Sequence, residues 1–114
     1  MSINRLVADP GRLTILATLA SAGRQEFVAL RQTTHLTDGN LASHARRLQT
    51  AGLIQIDKQF RNAKPVTSFT LTPQGRQALE LHVRQLVAAI SVKPPAAGEL
   101  KAEPAAEAAD EWVD

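Results

Sequence analysis

From Leu41 onward the apolar positions recur at four- and three-residue intervals, Leu41, Ala45 and Leu48, the period that stacks side chains on one face of a helix. Thr37 or Asp38 can accept a bond from a first-turn amide at its start, and Gly52 suits the left-handed position at its end. The spacing therefore predicts a capped amphipathic helix between these limits. Directly after it the period changes to two. Ile54, Ile56 and Phe60 share one strand parity against Gln55, Asp57 and Gln59, with Lys58 the interruption. Beyond the polar run Arg61-Asn62-Ala63-Lys64-Pro65, alternation resumes over Val66 to Thr72 and puts Phe69 and Leu71 on one face. Two alternating segments around a basic run predict a β-hairpin with a cationic tip.

Upstream, Asp9 and Pro10 read as the N-cap and first position of a helix that Gly23 ends. Its Leu13, Ile15, Leu16 and Leu19 point to more than one side, which predicts cover on two faces. Before it Ile3, Leu6 and Val7 form an apolar patch suited to a partner subunit or to the last helix. Arg24-Gln25 reads as extended chain, and Glu26 to Thr33 as a short helix with Phe27, Leu30 and Val28 inward. The turn Thr33-Thr34-His35-Leu36 then leads into the helix of Leu41, a helix-turn-helix order. After the hairpin, Thr72 and Pro73 open a last helix to about Ile90. The fold class expected is α+β, mainly α: helix, short strand, helix, helix, two-stranded hairpin, C-terminal helix.

At roughly 100° per residue, Asn40, Ser43 and Arg47 fall within about 60° of one another on the face opposite Leu41, with His44 and Arg46 at its borders. These residue types bond to base edges and phosphates, Arg47 to guanine through two donors and Asn40 to adenine or a phosphate. Thr37 and Asp38 stand at the helix start, where exposed amides also bind phosphate. On the hairpin, Arg61 and Lys64 are candidates for phosphates or the minor groove, Lys58 for either side, and Asn62 for shaping the turn. Taken alone the polar face is also what any solvated helix needs. The hairpin that follows without a linker favours DNA, because a helix in the major groove and a loop on the backbone or minor groove are complementary contacts.

Four segments carry a family resemblance: Asp9-Pro10-Gly11-Arg12-Leu13-Thr14-Ile15-Leu16, Phe27-Val28-Ala29-Leu30, Leu36 to His44 continuing through Ala51-Gly52-Leu53-Ile54, and Leu71-Thr72-Pro73-Gln74-Gly75-Arg76. In this order and spacing the chain resembles, over roughly residues 5 to 90, the small winged helix-turn-helix transcriptional regulators of the MarR-like and ArsR-like superfamily, and within it a compact bacterial and archaeal subgroup. The resemblance implies a dimeric DNA-binding regulator whose reading helix is that of Leu41. It also admits a small-molecule effector, for which the sequence identifies no pocket. Ala45 stands where the family often has leucine, and Gln49 where it often has an acidic residue. Both departures bear on the target sequence, not on the fold.

In the last helix Leu79, Val83, Leu86 and Ile90 repeat at spacings of four, three and four. The stripe suits pairing with a second copy or closing over the domain's own first helix. Ala78, Leu81 and Val87 widen it beyond one seam and favour a dimer built on Leu79, Val83, Leu86, Val87 and Ile90.

Charge divides the chain. Residues 1–92 hold 11 Lys and Arg against 5 Asp and Glu, net +6, whereas residues 93–114 hold 2 against 6, net −4. The expected organisation is one DNA-binding and dimerisation domain over 1–92 and a disordered acidic tail, rich in Pro, Ala and Glu, over 93–114. A basic domain gains affinity for nucleic acid by releasing counterions from phosphates. The tail reads as a solubilising extension, or as a segment whose Asp110 to Asp114 compete with DNA for the basic groove or which docks a partner through Trp112.

The 114 residues include no cysteine, which removes disulfides, thiolate metal sites and thiol redox chemistry. No glycine-rich phosphate loop, carboxylate pair or Ser-His-Asp arrangement can be assembled, so no enzyme, cofactor or metal site is expected. His35, His44 and His82 are too scattered for a local metal motif. Without a leader or a membrane-length apolar run the expected location is cytoplasmic and off the membrane. The expected function is a sequence-specific regulator binding double-stranded DNA, a homodimeric repressor. The alternative is a winged-helix module that binds a protein through the same surfaces.

Overall fold

The computed structural model describes residues 3–90, so the segment expected to form the acidic tail lies outside the described residues. Its elements run α1 (Ile3–Ala8), α2 (Pro10–Ala22), β1 (Gln25–Glu26), α3 (Phe27–Thr34), α4 (Asp38–Thr50), β2 (Ile54–Arg61), β3 (Lys64–Leu71) and α5 (Pro73–Ile90). Residues to Arg84 belong to one unit; from Gln85 the described chain is the end of α5.

Local chemistry sets the helix limits. The Asp9 carboxylate accepts from the Arg12 amide at 3.1 Å, with Pro10 at the first helical position of α2. Thr37 accepts through its hydroxyl from the Asn40 amide at 3.1 Å and starts α4. Thr72 does the same for α5, accepting from the Gly75 amide at 2.9 Å while its own hydroxyl donates to the Gly52 carbonyl at 2.7 Å. At the end of α4, Gly52 turns the chain at φ 81° and the Leu53 amide reaches back to the Leu48 carbonyl at 2.9 Å.

The core collects Leu16 and Leu19 of α2, Leu30 of α3, Leu41 and Leu48 of α4, and Phe69 of β3, each at most 2% exposed. Burying such side chains stabilises the fold by roughly 1.5–3 kcal/mol each. The sheet is antiparallel in the order β1-β3-β2. Its register sets Ile54 opposite Leu71 and Ile56 opposite Phe69, as the alternation requires. At the tip Asn62 (φ 55°) and Ala63 (φ 65°) form the two-residue connection. Two positive φ values match the twist of paired strands, so Asn62 does shape the turn.

Four expectations need correction. Val28 is 55% exposed, and the buried positions of α3 are Leu30 and Thr34, one turn apart. The N-terminal patch is a helix, α1, and of its three apolar residues Leu6 and Val7 are buried in the chain's own core, in one cluster with Leu79 of α5 and not held for a partner subunit, while Ile3 is exposed. Phe60 is 76% exposed, because the hairpin beyond Lys58 has only two strands: β1 pairs with Ser68 and Phe69 alone and covers just the base of the sheet. In α2 the buried positions are Arg12, Ile15, Leu16 and Leu19, spaced as one stripe, with Leu13 packed partly at its side. The stripe escaped the sequence reading because its first member is charged.

Candidate nucleic-acid interface

The polar face of α4 follows from the burial of its opposite side. Leu41, Ala45 and Leu48 lie against the core, which turns Asn40, Ser43, Arg46, Arg47 and Thr50 outward. On one flank α1 approaches, and a cleft of about 660 Å³ opens between Ile3 and Leu6 of α1 and Ser43, Arg46, Arg47 and Thr50 of α4, with Ala51 just past its end. On the other flank the hairpin leaves a smaller groove of about 310 Å³, lined among others by Arg46, Gln49, Lys58 and Thr67. Arg46 thus stands between the helix face and the hairpin.

The predicted residues separate into two groups by what they already touch. Asn40, Ser43, Arg46, Arg47, Lys58 and Lys64 are exposed, and among the described residues no carboxylate lies within ion-pair distance of Arg46, Arg47, Lys58 or Lys64. These four cations are available to an outside anion. The others are engaged. The Thr37 hydroxyl caps α4, and Asp38 is held by Arg31 Nε at 2.9 Å. Arg61 folds back on Glu26 of β1 with contacts of 2.6 and 3.4 Å. That hydrogen bond holds the Glu26 carboxyl below the usual range and the Arg61 guanidinium above its own. Arg61 thereby fixes the hairpin to the short strand. Asn62 sits in the turn at positive φ.

His44 turns inward. It is half-buried, with Nδ1 at 3.2 Å from Nη1 of Arg12 and Nε2 at 3.7 Å from the Asp9 carboxylate. Arg12 is only 7% exposed and also donates from Nε to the Leu6 carbonyl at 2.7 Å. Asp9 titrates below its ordinary range, chiefly because the Arg12 amide donates to it, against the opposing effect of burial and helped by the charges of Arg12 and His44. Sequence reasoning missed Arg12. Its spacing with Ile15, Leu16 and Leu19 was the available signal.

Of the candidate pairing residues on α5, Leu79 is buried in the core, whereas Val83, Leu86, Val87 and Ile90 are exposed, as is Leu81. Among the described residues no group of three or more His, Asp or Glu is placed to hold a metal ion, and no helix is long and apolar enough to cross a membrane.

Against this geometry, the sequence model of the winged helix DNA-binding domain matches residues 12–90. An uncharacterized protein of Methanocaldococcus jannaschii is 30% identical over 76 residues, covering 67% of this chain and 83% of its own length. Among solved structures, a transcriptional regulator homologue from Pyrococcus horikoshii superposes with a TM-score of 0.71 at 29% identity, covering 75% of this chain and 85% of its own. NadR in complex with 4-hydroxyphenylacetate gives 0.70 at 19% identity, over 97% of this chain and 75% of its own, a likeness of fold.

Proposed function

Because the chain belongs to the winged helix DNA-binding domain family, we propose that it is a transcriptional regulator that binds specific double-stranded DNA as a homodimer and represses by occupying a promoter. The observation that carries this reading is a group of cations around one surface, Arg46 and Arg47 on α4 and Lys58 and Lys64 on the hairpin, all exposed and without a carboxylate partner among the described residues. With α4 in the major groove, Asn40, Ser43 and Arg47 meet base edges, and Lys64 at the hairpin tip meets the backbone or minor groove. Arg46, between helix and hairpin, serves the phosphates.

The homodimer reading draws on the exposed apolar positions Val83, Leu86, Val87 and Ile90 of α5, which a second copy would cover. Two-fold symmetry would place half-sites about 34 Å or a multiple apart. A small-molecule effector belongs to the same reading, since a protein sharing the fold was solved with 4-hydroxyphenylacetate.

Two substitutions test the division of labour. Arg47→Ala is expected to cost roughly 1–3 kcal/mol on a selected site and to relax specificity, whereas Lys64→Ala weakens all DNA alike and reduces the salt slope by about one. Titrations on selected and random duplexes at several salt concentrations separate them. Equal losses on both duplexes for Arg47→Ala would remove its role as a base reader.

A further inference from the structure

Two segments far apart in the sequence, Asp9-Pro10-Gly11-Arg12 and the α4 turn around His44, meet at one half-buried point. A guanidinium has only donors. For Nη1 of Arg12 to donate across the 3.2 Å to Nδ1 of His44, that ring nitrogen presents its lone pair and the ring proton sits on Nε2, toward Asp9. Arg12 is also bonded to the Leu6 carbonyl of α1, so one side chain joins α1, α2 and α4. Gly11 makes room for the ring: a Cβ there would lie 2.8 Å from Nε2. Among the described residues the charged groups at the imidazole are Arg12 and Asp9, both from the start of α2. From α1 comes the Leu6 carbonyl on Arg12, and Arg47 lies one turn further along α4 itself.

We propose that Arg12 is a positioning residue for the reading helix, holding it through the unprotonated Nδ1 of His44, so that DNA specificity falls when His44 takes up a proton. The proposal rests on α4 being the base-reading helix. Protonation leaves His44 with no acceptor for Arg12 and sets two cations side by side, while Nε2 keeps its carboxylate partner. The ring then exchanges its tie to Arg12 for one to Asp9 alone, and α4 loses the bond that joins it to α1. The sign is diagnostic. A histidine facing DNA strengthens binding when protonated, because added positive charge favours every duplex; this one weakens the selected site relative to random DNA.

The test uses the full chain, a duplex selected by it from a random pool and a scrambled duplex, at fixed salt, at about pH 7.5 and at about pH 5.5. The ratio of the two affinities should fall roughly tenfold in the wild type, as for one hydrogen bond to a charged group lost. His44→Asn keeps an acceptor near Nδ1 but cannot titrate, so its ratio should stay flat. Arg12→Met should show the low ratio at both pH values while scrambled-duplex affinity stays within about twofold, the sequence-independent contacts being intact. Ring 15N shifts of His44 in the free protein provide the independent readout, with the proton on Nε2 expected near neutral pH. A proton on Nδ1, a flat wild-type ratio, or an equal fall in His44→Asn would overturn the positioning role. A chain that prefers no duplex while His44 keeps the expected tautomer would overturn the functional reading, and this role with it.

Discussion

Replacing Phe69 with alanine is expected to destabilise the protein by about 3–5 kcal/mol, the usual cost of emptying a large aromatic site from a packed core. Phe69 is 2% exposed, sits on the central strand and has the Phe27 ring at 6.1 Å. Its cross-strand neighbours are Gln25 on β1 and Ile56 on β2, so the cavity would open where all three strands and the helices meet. For a domain of this size each kcal/mol shifts the thermal midpoint by about 4–8 °C, which makes the expected drop at least about 12 °C. Denaturant unfolding followed by circular dichroism measures it. A loss below about 1 kcal/mol would mean that the site refills easily and that the core is not organised around this ring.

The second large effect is expected at Gly75, where α5 starts. A Cβ built there runs into the carbonyl oxygen of Leu53 and lies 2.8 Å from a methyl carbon of Leu71. The Leu53 oxygen cannot simply retreat, because it accepts the Thr72 amide at 3.1 Å in the junction that joins the end of α4 to the start of α5. Gly75→Ala should therefore cost about 3 kcal/mol, the upper end of what overpacking costs when backbone has to move. Helix propensity alone predicts the opposite sign, since alanine is favoured over glycine by about 1 kcal/mol in a helix. The sign of the change in unfolding free energy thus decides between close contact and propensity. Gly75→Ser, with the same Cβ, should behave like alanine.

The winged-helix architecture was legible because its signals are local. Asp9-Pro10, Thr37 and Thr72-Pro73 cap helices through their own neighbours, and the change from a 3.6 to a 2 period at Leu53-Ile54 marks a real change of element. The exposed face of α4 was legible for the same reason: burying Leu41, Ala45 and Leu48 fixes where Asn40, Ser43 and Arg47 point. What the sequence concealed depends on contacts distant along the chain. Whether Arg61 faces a ligand or an internal partner depends on Glu26, 35 positions away. His44 shares a helix with the outward residues, yet its direction is set by Arg12, 32 positions away. The helicity of Ile3 to Ala8 was hidden because six residues carry too little period to read. The exposure of Phe60 was hidden because alternation gives parity but not how far along the hairpin the sheet is covered.

A mildly basic winged-helix domain attracts any polyanion to some degree, so affinity alone does not separate a regulator from a protein-binding module of the same fold. The difference lies in how affinity responds to competitor. Fluorescence anisotropy of the full chain on labelled DNA from the region upstream of its own gene, at several salt concentrations with excess random DNA present, separates the two. A regulator of this design gives salt-dependent binding that survives the competitor and is lost more on this DNA than on random DNA when Arg47 is replaced. Binding that the competitor abolishes at every salt concentration would contradict that role.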